Sequence, residues 1–183
     1  MSDLRPTLWR TCRVIACETR LKLLWALFRE EELCVSSAAE CVGMGDAQAS
    51  IQLRSLNARG LISSRRKKMR VFYRPEANVA VDFAPQLLGG LHACYVRRMA
   101  HAAVIRQATA FTHERRIEVV RALDCAPMDW NDLVAITGMS DTALFSHLGK
   151  LRNRGLVKKG GDRYMLSWPE NRFGALLLRV ALS

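Results

Sequence analysis

The same string of residues occurs twice in this chain, and the repetition limits what it can fold into more than any other feature does. Glu18-Thr19-Arg20-Leu21 returns as Glu114-Arg115-Arg116-Ile117, and Ala26-Leu27 as Ala122-Leu123. Gly43-Met44-Gly45-Asp46 returns as Gly138-Met139-Ser140-Asp141, and Leu53, Leu56 and Arg59-Gly60-Leu61 as Leu148, Leu151 and Arg154-Gly155-Leu156. The offset is 96 in the first pairs and 95 in the rest, so a single one-residue gap aligns residues 18–61 with 114–156. Two copies are too few for a solenoid, whose units bury a core only by stacking several neighbours. The repeat therefore predicts a tandem of two small domains, residues 1–90 and 91–183.

Size and charge agree with that reading. Half of the 183 residues are apolar, enough for a buried core in each half. The net charge of +11 is shared: residues 1–90 carry 14 Lys/Arg against 9 Asp/Glu, and residues 91–183 carry 14 against 8. A basic tail would give a lopsided split, so each copy is expected to present its own positive surface, with nucleic acid as the favoured partner. No apolar run approaches the roughly 20 residues that span a bilayer. Met1-Ser2-Asp3-Leu4-Arg5-Pro6 lacks the apolar stretch of a secretory leader, so the expectation is a soluble, cytoplasmic protein with no membrane partner. The six cysteines form no C-x-x-C pair and are read as free thiols.

Local patterns place the elements. In the second copy Ile117, Val120 and Leu123 recur at helical spacing over about 114–124, Asp129 caps a short helix through Ile136, and Gly138 breaks it. Ser140 caps a third helix, about 141–153, whose Leu144, Leu148 and Leu151 face inward. Gly155 ends it, and Leu156–Ser167 reads as a β-hairpin around Gly160-Gly161. The first copy repeats the order with helices at about 18–28, 36–42 and 46–58 and a hairpin from Leu61 to Arg74. Three further helical stretches, 8–16, 84–111 (interrupted near Gly89-Gly90) and 170–182, have apolar faces with no place inside either unit. They are expected to pack together as a shared helical spine.

Helix, turn, helix and hairpin in that order make a winged helix-turn-helix, and L-x-x-L-x-x-x-G-L in both copies resembles the ArsR/SmtB-like family of transcriptional regulators. Glu18-Thr19-Arg20-Leu21-Lys22-Leu23-Leu24 is similar to that family's opening helix, and Met139–Leu148 to its recognition helix. The resemblance implies sequence-directed binding of double-stranded DNA, a dimer, and repression released by a metal or another signal. The fold expected is mainly α with small β-hairpin wings, two winged helix-turn-helix domains in tandem on a shared spine.

The residues point to DNA without that likeness. The outward positions of the third helices are Ala47, Gln48, Ile51, Gln52 and Ser55 in the first copy, and Thr142, Ala143, Ser146, His147 and Lys150 in the second. Eight Lys/Arg and no acid lie between Arg54 and Arg74, five of them at the hairpin tip: Arg65, Arg66, Lys67, Lys68 and Arg70. The second hairpin offers Lys158, Lys159 and Arg163. Cations beside a groove-sized helix neutralise phosphates and release counterions, which supplies non-specific affinity. Ile51 and Phe145 put bulky apolar groups where the family carries polar ones, which keeps a protein-interaction or scaffold module open as the alternative.

No metal or other cofactor is expected. Glu32-Leu33-Cys34-Val35-Ser36 is similar to the family's E-L-C-V-C metal box, but Ser36 replaces the second thiolate, and one thiolate cannot build a soft-metal site. His92 and His101, nine residues apart, would fall on opposite faces of one helix, and His113 and His147 fall in different elements. No nucleophile with an orienting base and no phosphate-binding Gly-rich loop is visible, so an enzyme is not expected. The sequence reading is an intrachain pseudo-dimer, open to further homodimer formation, that represses transcription from an asymmetric DNA site.

Overall fold

The computed structural model describes residues 6–183. The leader reading of Met1–Arg5 lies outside the described residues. The elements in order are α1 (Leu8–Ile15), α2 (Glu18–Glu30), β1 (Leu33–Cys34), α3 (Val35–Val42), α4 (Asp46–Asn57), β2 (Ser63–Lys67) and β3 (Arg70–Arg74). Then come α5 (Ala84–Val96), α6 (His101–Ala108), a 3₁₀ turn (Thr109–Phe111), α7 (Glu114–Cys125), α8 (Trp130–Thr137), α9 (Asp141–Arg152), β4 (Val157–Gly160), β5 (Arg163–Leu166) and α10 (Arg172–Leu182). Helices dominate, and the small antiparallel sheets follow third helices, as in a winged helix-turn-helix.

The order α2, α3, α4, hairpin recurs as α7, α8, α9, hairpin, and the local causes recur with it. Both third helices start on an acid, Asp46 or Asp141, and carry cations in the last turn, Arg54 or Lys150 and Arg152, matching the helix dipole at each end. Both bury a stripe at the same spacing, Ala49, Leu53 and Leu56 against Leu144, Leu148 and Leu151. Each exits through a left-handed glycine, Gly60 at φ +72° and Gly155 at φ +74°. The next amide then reaches back to the helix, Leu61 N–H to Leu56 O at 3.2 Å and Leu156 N–H to Leu151 O at 3.1 Å.

An arginine, half-buried in the first copy and buried in the second, repeats in the same way. Arg20 Nε donates to Val14 O at 2.6 Å and Nη2 to Arg13 O at 3.2 Å. Ninety-six residues on, Arg116 Nε donates to Ala110 O at 2.7 Å and Nη2 to Thr109 O at 3.1 Å. Each guanidinium satisfies carbonyls at the frayed C-terminal end of the preceding helical segment and ties that segment to the helix carrying the arginine. Arg116 is only 5 % exposed, and its charge is solvated by these carbonyls and by Thr112 Oγ1 at 2.6 Å.

The copies differ at the sheet. β1 joins the first hairpin to make the order β1-β3-β2, with Leu33 opposite Tyr73, whereas the second hairpin has only the single bridge Met128–Tyr164 beside β4-β5.

Between the hairpin-bearing parts, α1 packs on α6 and the 3₁₀ turn, and α5 packs on α10. One continuous core runs from Leu8, Ile15 and Leu24 through Leu91, Val104 and Phe111 to Leu123, Leu148 and Leu177. Two expectations need correction. The break expected at Gly89-Gly90 is absent, because α5 runs through both glycines and ends at Val96. The chain turns instead over residues 97–100, with Arg98 at φ +53°. Gly90 is there for close approach: a Cβ on it would run into Leu176 Cδ2 of α10 and come within 3.4 Å of Phe173. The boundary drawn between residues 90 and 91 therefore falls inside α5.

No helix among the described residues is long and apolar enough to cross a membrane.

Candidate nucleic-acid interface

On α4 the exposed side chains are Asp46, Ala47, Gln48, Ile51 and Arg54. Gln52, read from sequence as outward, is half-buried, and its Oε1 accepts a 2.8 Å hydrogen bond from Arg20 Nη1. Ser55 is half-buried and donates to Ile51 O at 3.0 Å. On α9 the exposed set is Asp141, Thr142, Phe145, Ser146, Lys150 and Arg152, while Ala143 is half-buried against the core.

His147 also turns inward, its ring 4.7 Å from that of His113, so two histidines assigned to separate elements meet in space. Burial first, then His113 and Arg116, hold the His147 imidazole down to about 4, so it is neutral at pH 7. His113 caps α7, accepting from Arg115 N–H at 3.2 Å. Gln52 and His147 stand 95 apart, at equivalent positions of the repeat, and both turn inward, Gln52 to Arg20 and His147 to His113. The partners differ: Gln52 accepts from Arg20, whereas His147 meets the His113 ring, its Nδ1 is buried without a hydrogen-bond partner, and the Arg116 charge opposes its protonation. These two positions and Ala143 therefore drop out of the outward-facing set.

The hairpins keep most of their cations in water. Arg66, Lys67, Lys68 and Arg70 are exposed, with Lys68 in the turn at φ +54°. Arg65 is committed elsewhere. Its Nε and Nη2 grip Glu32 at 2.6 and 2.7 Å, and Arg74 Nε joins the same carboxylate at 2.9 Å. The Arg65 hydrogen bond in particular holds the Glu32 carboxyl below its usual range. In the second hairpin Lys158, Lys159 and Arg163 are exposed, and Lys159 Nζ lies 5.5 Å from the Tyr164 ring centre.

Sequence reasoning left α1 without a functional role, yet it touches the surroundings of both third helices. Val14 shares a groove with Ile51, Arg54, Ser55, Ala58 and Arg59. On its other flank Trp9 and Arg13 line a cleft of about 540 Å³ with Lys150, Arg154 and Arg116. The available signal was Arg20/Arg116 inside the aligned repeat, which marks where the preceding segment docks.

The metal-box region holds a thiol and two hydroxyls. Buried Cys34 Sγ lies 3.2 Å from both Ser36 Oγ and Ser37 Oγ, which pull the thiol down to about 7. Cys12, Cys17, Cys34, Cys41, Cys94 and Cys125 are all free, and the described residues hold no cluster of three or more His, Cys, Asp or Glu able to take a metal ion. His92 and His101 sit on different helices and join one aromatic cluster, 5.0 Å from Phe28 and 5.4 Å from Trp25.

Residues 113–159, from the cap of α7 into β4, match the family model described as the bacterial regulatory protein, arsR family. The match supports an ArsR-like helix-turn-helix regulator, a DNA-binding class that is generally non-enzymatic. No solved structure matches the chain.

Proposed function

We propose that the chain is a sequence-directed regulator, acting as a repressor, in which two non-identical winged helix-turn-helix units form an intrachain pseudo-dimer on double-stranded DNA. The observation that carries this reading is the position of α1. It shares one groove with α4 and another with α9, the third helix of the segment that matches the arsR family, so both helices open beside a common element. The repeated arginine contacts and the pairings α1 with α6 and α5 with α10 support an internal pseudo-two-fold.

Gln48, Ile51 and Arg54 would meet one major groove and Thr142, Phe145 and Ser146 the next, about one DNA turn of roughly 34 Å away. Arg66, Lys67, Lys68, Arg70, Lys158, Lys159 and Arg163 would lie on phosphates. Because the two exposed triads differ, the two half-sites differ, and one chain suits an asymmetric operator. Such a regulator works in the cytoplasm.

Selection of bound fragments from a random duplex pool, followed by fluorescence anisotropy across a salt series, tests the reading. The expected result is an asymmetric site whose log affinity falls linearly with log salt. Replacing Arg66, Lys67 and Lys68 with Ala should reduce that slope by about 2 to 3, at roughly 0.9 per phosphate contact, without changing base preference. Changing Gln48 or Ser146 should alter preference instead. Enrichment of no sequence together with salt-independent binding would sink the proposal.

A second reading, a scaffold that docks a protein, is favoured by Ile51 at 54 % and Phe145 at 74 % exposure. A complex that survives nuclease treatment would support it.

A further inference from the structure

The α1 helix is more than spine. Its outward side carries Arg13, whose guanidinium carbon lies 5.8 Å from the centre of the Trp9 ring, and Arg10, at 5.0 Å from the same ring. The cleft on the α9 side is lined by Arg13, Arg116, Lys150 and Arg154 and by one acid, Glu114. The groove on the α4 side is lined by Arg54 and Arg59 and by no acid. Among the described residues, none of Arg13, Lys150, Arg154, Arg54 and Arg59 takes part in an ion pair.

The cations instead crowd one another. Burial, then neighbouring Arg106, lowers the Arg154 guanidinium from its usual value, and burial, then Arg10, does the same to Arg59. Arg59 Nη1 is also buried without a hydrogen-bond partner. Like charges lining the two openings with one acid, Glu114, among them raise the free energy of the unbound molecule, and a polyanion laid across them relieves it. The hairpins manage charge differently, since Arg65 and Arg74 share Glu32.

We propose that α1 is a third DNA-contacting element, with Arg13, Lys150 and Arg154 on one flank and Arg59 on the other gripping the backbone of the duplex segment between the two third helices. This rests on the DNA-binding reading above and adds the occupant of its centre. A duplex fits better than an isolated anion for two reasons. The seam continues on both sides into the exposed faces of α4 and α9, and its cations are spread over two openings instead of converging on one point. Phosphate contacts of this kind carry no base information directly, so the middle of the site is read through its shape and its ease of bending.

The test uses the full chain and its selected duplex. Phosphates are ethylated at random, and positions that block binding are mapped for the native protein and for the double variant Arg13→Gln/Lys150→Gln. Both side chains are exposed, and thermal melting of the variant checks that it folds. The expected result is interference at the central phosphates of the native complex, lost in the variant, with a salt slope lower by about 2 and unchanged base preference. Arg13→Lys with native Lys150 should restore most of the slope.

A native protein that binds its site with no central interference, and a variant slope equal to native, would overturn the seam and leave the regulator reading intact. Absence of any duplex binding would overturn both. A variant that loses affinity for polyglutamate and none for duplex would overturn the DNA assignment in favour of an acidic protein partner.

Discussion

His147 shows how one side chain can look available in sequence and be committed in space. It occupies the position of Gln52, but where Gln52 accepts from Arg20, His147 lies against the His113 ring. Its depressed imidazole fixes the sign of a pH effect. The folded state resists protonation down to about 4, whereas an unfolded histidine takes up a proton near 6.5, so its contribution to stability falls as pH drops from 6.5 toward 4. The groups that face it are His113, Arg115 and Arg116 from α7 and Lys150 from its own helix, all cationic or able to become so. His147→Gln should therefore lose less melting temperature between pH 7 and pH 4.5 than the native chain. It should leave base preference unchanged, since the side chain at this position is turned toward His113 and away from the exposed set of α9. An equal acid loss in both proteins, read by thermal melts at the two pH values, would refute this.

The packing of α5 on α10 makes a sharper prediction than helix propensity alone. Gly89 and Gly90 are neighbours in one helix, and propensity alone gives alanine or larger residues a gain of about 1 kcal/mol at either position. The neighbours decide otherwise. Gly89 is exposed and a Cβ there would meet nothing within 4 Å, so Gly89→Ala should stabilise by about 0.5–1 kcal/mol in chemical denaturation. Gly90 faces Leu176 and Phe173 across the seam, so Gly90→Val should cost about 1–3 kcal/mol through overpacking. Leu176→Ala in the same chain should recover part of that loss, which loss of backbone freedom alone would not predict. Most element positions were legible from periodicity and caps: the third helices, their glycine exits and the hairpins sit within a residue or two of their sequence reading. The Gly-Gly pair misled because glycine signals either a break or a close approach, and only the partner helix distinguishes the two.

For the molecule as a whole, the continuous core from Leu8 to Leu177 means that neither half closes its hydrophobic face alone. Unfolding should be a single cooperative transition, with tryptophan fluorescence and far-ultraviolet circular dichroism superimposing in urea. Two separated transitions would show instead that the repeated units are energetically independent.

The linear order of residues already set out the helices, the hairpins that follow α4 and α9 and the excess of positive charge, because periodicity, capping and turn chemistry are local and act within a few residues. The repeat also lifted Arg20 and Arg116 into view. Which outward positions are in fact outward was decided only by tertiary packing, which turned Gln52 to Arg20 and His147 to His113 and gave Arg65 to Glu32. The place of α1 beside α4 and α9 was decided there too, since an amphipathic helix takes its position from the surfaces left open to its apolar face.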